Sequence, residues 1–334
     1  MGRGRGGPGR GGVVGAPRLR RAPAVLALAT VLVLLVTACD TNLPVPGAKP
    51  GVPTQLTARG EASSVKGTIY VAQGGRIWKL RGGKITALTP SGQQLASPTA
   101  SANGAVTAAS LMGSGQAQVA VGGPDFAGLA PLTPAQKDPH KASLDLKPAL
   151  SADGARLVFM SDRASCCSDE AIWEGPIHRP RQVSFPPDTT GGDDAPAYLP
   201  DATGVVLIAW RGNRGNLDQA GVPAGRVKVL AAAAAADFLD PAPGPAGKLA
   251  WTTRQGDIAN IAVGNLDGSG AVTVASFGDC RQPVWSADGK NLVFISAHGG
   301  SMDLWSVPAA GGTPQRLTWG ADLDANSHPA WIAG

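Results

Sequence analysis

Near the C-terminal end, residues 283–318 read PVWSADGKNLVFISAHGGSMDLWSVPAAGGTPQRLT, and the unit recurs along most of the chain. Its marker prolines are Pro98, Pro148, Pro196, Pro241, Pro283 and Pro329, spaced 42 to 50 residues apart. The unit reads as a small antiparallel sheet. Pro283 can open a strand where its missing N–H is not needed, and Val284 and Trp285 follow as strand formers. Asp288-Gly289 makes a tight turn, because glycine tolerates positive φ and aspartate bonds to nearby backbone. Leu292, Val293, Phe294 and Ile295 form an unbroken apolar run, the mark of a strand covered on both faces. Leu304, Trp305 and Val307 give a third strand, Gly311-Gly312 its turn, and Gln315 to Thr318 a short fourth. Four short strands cannot bury both faces alone, so each unit needs neighbours of its own kind. A period in the forties with four strands per unit predicts an all-β propeller.

The two ends set the number of blades. The chain stops at Gly334, after only the first strand of a further unit. Residues 67–89, GTIYVAQGGRIWKLRGGKITALT, have the opposite defect, with three strands and no opening Pro-x-Trp strand. One C-terminal strand joining three N-terminal strands closes the ring and leaves no long edge exposed. The expectation is six blades over residues 67–334.

The pattern Pro-x-Trp-Ser-x-Asp-Gly-x-x-Leu-x-Phe-x-Ser, with Asp-Leu-Trp-x-Val and a later Gly-Gly and Leu-Thr, resembles the WD40-like repeat of the TolB propeller family. Residues 283–318 and 148–163 carry it closely, and the copies at Pro98 and Pro241 loosely. The resemblance implies a TolB-like six-bladed propeller. TolB itself carries a folded α/β domain ahead of its propeller, for which residues 39–66 leave no room, so TolB's envelope partners do not carry over with the repeat.

Ahead of the repeats, residues 1–21 hold six arginines and no acid, and residues 22–36 are apolar apart from Pro23 and Thr30. Val36-Thr37-Ala38-Cys39 follows. A basic stretch, a short apolar core and small residues before a cysteine read as a secretory signal over residues 1–38. Fifteen residues are short for a membrane span. The ending resembles the bacterial lipobox, which implies a diacylglycerol on Cys39 and a lipoprotein on the extracytoplasmic face of the cell membrane; an ordinary signal peptide and a tilted anchor are the alternatives. Residues 39–66, with Pro44, Pro46, Pro50 and Pro53 among Thr, Gly and Ala, read as a tether. The whole chain is formally +5, but its first 38 residues contribute +6 and leave −1 for the rest. The basic pI therefore does not point to nucleic acid, and no basic patch with interleaved aromatics appears in the repeats.

Cys166, Cys167 and Cys280 remain beside Cys39. Their odd number leaves at least one free thiol, and no Cys-x-x-Cys or Cys/His cluster suggests structural zinc. The loops ahead of the opening strands should gather at one mouth of the channel. They carry Asp145, Asp193 with Asp194, Asp237 with Asp240, Asp279, and Asp322 with Asp324, the last followed by His328. Such an acidic mouth suits a basic peptide or a hard cation such as calcium held by oxygens. The competing account is turn chemistry, with each carboxylate bonded to local backbone N–H groups.

No Gly-x-Ser-x-Gly elbow or His-Glu-x-x-His helix is present, and His140, His178, His298 and His328 are the four histidines. Trp78, Trp173, Trp285, Trp305 and Trp331 fall at repeat-equivalent places, which suits blade-to-blade packing better than sugar platforms. The reading is a monomeric, lipid-anchored binding module with no catalytic residues and no cofactor, engaging an envelope protein or peptide at a channel mouth. A metal-assisted carbohydrate-active enzyme, in which His140 and His328 would serve, and an accessory sensor of an envelope signalling system are the other classes considered.

Overall fold

The structure is a computed structural model that describes residues 56–58, 62, 64–113, 115–132, 143–163, 170–186, 191–222 and 227–333. The signal segment, Cys39, most of the tether, His140, Cys166 and Cys167 lie outside the described residues.

Six four-stranded antiparallel sheets form a ring. Strand β1 (Thr57–Ala58) precedes it. Blade 1 contains β2 (Thr68–Gln73), β3 (Arg76–Arg81) and β4 (Lys84–Ala87), and blade 2 contains β5 (Leu95–Ala100), β6 (Thr107–Gly113), β7 (Gln116–Gly122) and β8 (Ala130–Pro131). Blade 3 is β9 (Asp145–Leu150), β10 (Arg156–Ser161), β11 (Ala171–Pro176) and β12 (Arg181–Gln182). Blade 4 is β13 (Asp193–Tyr198), β14 (Gly204–Arg211), β15 (Arg214–Gly221) and β16 (Lys228–Ala231). Blade 5 is β17 (Asp237–Pro243), β18 (Lys248–Gln255), β19 (Ile258–Asn265) and β20 (Val272–Ala275). Blade 6 is β21 (Cys280–Trp285), β22 (Asn291–Ser296), β23 (Asp303–Pro308) and β24 (Gln315–Arg316). Strands β25 (Thr318–Trp319) and β26 (Ala330–Ile332) follow.

Strand β26 pairs with β2 through Thr68–Ile332, Ile69–Trp331 and Tyr70–Ala330, so the C-terminal strand completes the N-terminal blade as the sequence leads one to expect. The closure is reinforced beside it. The Ala72 N–H donates to the Ser327 hydroxyl at 2.8 Å, and Asp324 accepts from the N–H groups of Gly74 and Gly75 at 2.9 and 3.3 Å. A second fastening lies ahead of Gly67. Strand β1 pairs with β25, and the buried side chains of Leu56 and Ala62 join the core between blades 6 and 1.

Apolar side chains of each blade meet those of the next. Among the described residues, six buried clusters occur, one at each seam between blades. The middle strands supply them. VVLIA of β14, LVFM of β10 and LVFI of β22 are buried on both faces. Burying a side chain of this size stabilises by about 1.5–3 kcal/mol. The close approach of blades is visible at Gly289, where a Cβ would sit 2.4 Å from Pro245 of the preceding blade. The tryptophans contribute too. Trp285 donates from Nε1 to the Ala242 carbonyl of the neighbouring blade, and Trp331 to the Lys66 carbonyl.

The marker proline does not open its strand. In blade 6 the inner strand begins three residues earlier, at Cys280. Arg281 pairs with Ile295 and Val284 with Val293, so Gln282 and Pro283 together oppose Phe294 alone. This is a β-bulge, and the same two-against-one count recurs at Ser97-Pro98, Lys147-Pro148, Ala195-Pro196 and Asp240-Pro241. Proline is tolerated because the inner strand is the edge strand facing the channel, where a bulge leaves its missing N–H without consequence. The alanine run after Leu230 also resolves: Ala231 ends β16, and residues 232–236 are the loop into β17.

Candidate binding site in the central channel

At these five bulges, and at His328 ahead of Pro329, the residue before the marker proline takes left-handed backbone, a conformation that favours glycine. None of the six is glycine. Ser97, Lys147, Ala195, Asp240, Gln282 and His328, each directly before a marker proline, have φ of 49°, 51°, 46°, 45°, 57° and 39°. Such backbone costs a residue with a Cβ about 1–2 kcal/mol. Side chains kept at all six strained positions form a ring at mid-channel, five of them polar.

The ring borders a cavity of about 300 Å³. The cavity's lining runs from the ring only toward the C-terminal ends of the inner strands, through the six prolines to Tyr198, Trp285, Trp331 and Ile332. The result is a funnel with a proline- and alanine-rich wall and a polar floor. It opens on the face opposite the loops that lead into the inner strands.

At the floor, Lys147 of blade 3 reaches Asp194 of blade 4, with Nζ 2.8 and 2.6 Å from the two carboxylate oxygens. Asp194 also accepts from the Ala195 N–H at 2.6 Å. Across the channel, Asp240 Oδ2 accepts from the Thr252 hydroxyl at 2.8 Å, and Thr252 in turn accepts from the Gln282 N–H at 3.0 Å. The Gln282 side chain accepts from the His328 N–H at 2.8 Å and donates to the Ala325 carbonyl at 2.7 Å. His328 Nε2 lies 3.9 Å from Asp240 Oδ1. Burial holds the His328 imidazole below its ordinary value; Lys147 adds to the effect, and together they outweigh the pull of Asp240 and Asp194.

Of the acidic set read from the sequence, Asp194, Asp240 and His328 therefore converge on the channel floor. The others do not join them. Asp145 opens β9, is buried, and is held by the Ser161 hydroxyl at 2.6 Å and by Arg163. Asp193 opens β13 and meets Arg211 at 3.2 Å, and Asp237 opens β17 and meets Arg214 and Arg254, each at 3.5 Å. Asp279 pairs with Arg281 at 2.6 Å, and Asp324 caps the β2–β3 hairpin beside the ring closure. Asp324 is held by backbone N–H groups far away in sequence, those of Gly74 and Gly75. At Asp145, Asp193 and Asp237 the partner is mainly an arginine at or near the end of the adjacent strand, so these three carboxylates are neutralised within their own blades. Blade 6 departs from blades 3 and 4, with buried Cys280 at the place that Asp145 and Asp193 hold and His298 near the place of their arginines. Cys280 is a free thiol 3.8 Å from the Ser296 hydroxyl.

Lys147 and Gln282 escaped the sequence reading although their positions, one residue before a marker proline, were in view. The missing piece was the bulge, which turns that residue toward the channel. Among the described residues, no group of three or more His, Cys, Asp or Glu side chains is arranged to hold a metal ion, and no helix is long and apolar enough to cross a membrane.

No family model matches the chain, and no curated protein matches it in sequence. Solved structures match its fold. TolB from Acinetobacter baumannii superposes with a TM-score of 0.62 at 16% identity, over 80% of this chain and 66% of that one. This chain thus spans just under two thirds of the Acinetobacter protein. A chain of the nidogen–laminin complex gives 0.62 at 10% identity over 79% of this chain and 97% of its own length. Oligogalacturonate lyase from Vibrio parahaemolyticus gives 0.50 at 11% identity over 72% of this chain and 70% of its own. Enzymes and non-enzymes thus share the scaffold, and identities this low speak to fold alone. With six four-stranded blades, a C-terminal strand closing the first and this structural likeness, the chain has the TolB-like six-bladed propeller fold.

Proposed function

We propose that the protein is a lipid-anchored, extracytoplasmic binding propeller that receives a segment of a protein or peptide partner in the funnel. The observation that carries this reading is the ring of six strained, side-chain-bearing residues under an open cavity, because strain is retained where the surrounding structure puts it to use. The funnel's lining suits an inserted chain, with apolar wall for side chains and a few convergent polar groups to fix register. One of the matched structures is of a protein–protein complex, nidogen with laminin, which favours a partner of this class. Residues 22–38 and Cys39 supply the export and anchoring half of the proposal.

The test places a photo-crosslinking residue in the funnel wall, at Ala149 or Ala242, and in a control at exposed Asp257 on the opposite face. Irradiation of intact cells should yield a discrete adduct from the two wall positions and none from the control. An adduct from Asp257 alone would move the site to the aspartate–arginine face. Mass spectrometry of Cys39 in the membrane fraction tests the anchor, with a diacylglyceryl modification expected.

A further inference from the structure

Which chemical group the funnel floor receives follows from its charges, given the proposal that a partner enters there. Four titratable groups meet at the floor. Lys147 and Asp194 cancel one another through two short contacts in side chains that are 8% and 13% exposed. Burial favours a neutral His328 imidazole. What remains is Asp240, 10% exposed, whose Oδ2 takes the Thr252 hydroxyl while Oδ1 faces His328 across 3.9 Å, beyond hydrogen-bond reach. Among the described residues, the arginine clasps that neutralise Asp145, Asp193 and Asp237 have no counterpart at Asp240, which meets the Thr252 hydroxyl and, at 3.9 Å, the His328 imidazole. The floor thus carries a net charge of one carboxylate at the bottom of a cavity walled by proline and alanine. In such surroundings a carboxylate gains much more from an approaching cation than it would in water.

We infer that the funnel accepts a primary ammonium or a guanidinium carried on an apolar stem, with Asp240 as its counter-ion. A lysine side chain, a free N-terminus or an arginine side chain of a partner would each present this chemistry. An anionic group is disfavoured because the floor's cation is already spent on Asp194. Two features fit Asp240 to that role. Its left-handed backbone at the Pro241 bulge holds it in the ring, and Thr252, itself fixed by the Gln282 N–H, sets the carboxylate's orientation.

The experiment uses full-length protein labelled with 5-fluorotryptophan, in which the resonances of the wall residues Trp285 and Trp331 are assigned through Trp285→Phe and Trp331→Phe. Fluorine NMR then follows titration with n-pentylammonium, n-pentylguanidinium, n-pentanol and pentanoate. One or both cations should shift the two wall resonances saturably and at least tenfold more tightly than pentanol, and pentanoate should be weaker still. Comparison of the two cations separates lysine or N-terminal recognition from arginine recognition. Asp240→Asn should bring the preferred cation to within about twofold of pentanol, and Asp240→Glu should retain most of the preference. Equal binding of pentanol and both cations to the wild-type protein would overturn the charge inference while leaving the funnel as a binding site. Silence of both wall resonances to every probe would overturn the two together. The wild-type comparison decides the matter even if Asp240→Asn does not fold.

Discussion

Single buried carboxylates decide much of how this propeller responds to acid, and they do so in opposite directions. Asp303 is wholly buried in blade 6. Burial by itself would raise its pKa, but the Ser301 and Thr318 hydroxyls, Arg316 and the Ala321 N–H outweigh that effect and hold it below the ordinary carboxylate range. Its stabilisation is present at neutral pH and is lost as pH falls through the lowered folded value. Asp303→Ala strands Arg316 and several donors, and a loss of about 3–5 kcal/mol is expected in denaturant titration. Asp218 behaves the other way. Burial pushes it up to about 6, with Arg211 opposing and Asp193 adding to the rise. The folded state then binds the extra proton, so stability is full below the unfolded value near 4, falls as pH rises and is lost through about 6. Asp218→Asn should flatten the melting temperature between those limits and, at pH 7, stabilise on the order of 1 kcal/mol. At this scale the sequence showed the acids but not their partners. Asp145 and Arg163, or Asp193 and Arg211, stand eighteen positions apart and become neighbours only through strand register.

At the scale of elements, legibility was greater, because the repeat writes the same local physics six times. Apolar runs buried on both faces, Ser-x-Asp-Gly turns and the missing first strand of blade 1 each pointed to the observed sheet order. In the turns, Ser286 donates to Asp288 at 2.6 Å while Asp288 accepts from the Lys290 N–H at 3.1 Å, and Ser151 and Asp153 repeat the motif. What could not be read was the bulge, since its signal is a proline within an inner strand that looks the same as a proline at a strand's start. Ring closure offers the clearest test of an element's worth. Ending the chain after residue 325 deletes β26 with the Asn326, Ser327 and His328 contacts. It exposes the edge of β2 and should lower the melting temperature by well over 5 °C, with a broadened circular-dichroism transition. Adding residues 326–334 back as a peptide should restore part of the loss.

For the molecule as a whole, the two faces of the ring differ in kind. One gathers buried aspartates matched by arginine, and the other opens into an apolar funnel whose floor holds Asp240, a carboxylate with no arginine or lysine partner among the described residues. Because the repeats carry a formal charge near −1 once residues 1–38 are set aside, long-range steering by net charge should be weak. Partner affinity is accordingly expected to change less than about threefold between 50 and 300 mM salt, a dependence that surface plasmon resonance would measure once the partner is captured. The strand β1 has a mechanical consequence of its own. A pull on the N-terminal end of the chain reaches its two-residue ladder with Thr318–Trp319 before it reaches β2. The short ladder should peel away at low force and lengthen the connection, while the ring, loaded only afterwards, stays shut; optical tweezers would record a small early extension ahead of the main rupture. The β1–β25 pair, with Leu56 and Ala62 seated between blades 6 and 1, is thus a shock absorber in series with the propeller, giving way before the β2–β26 closure takes the load.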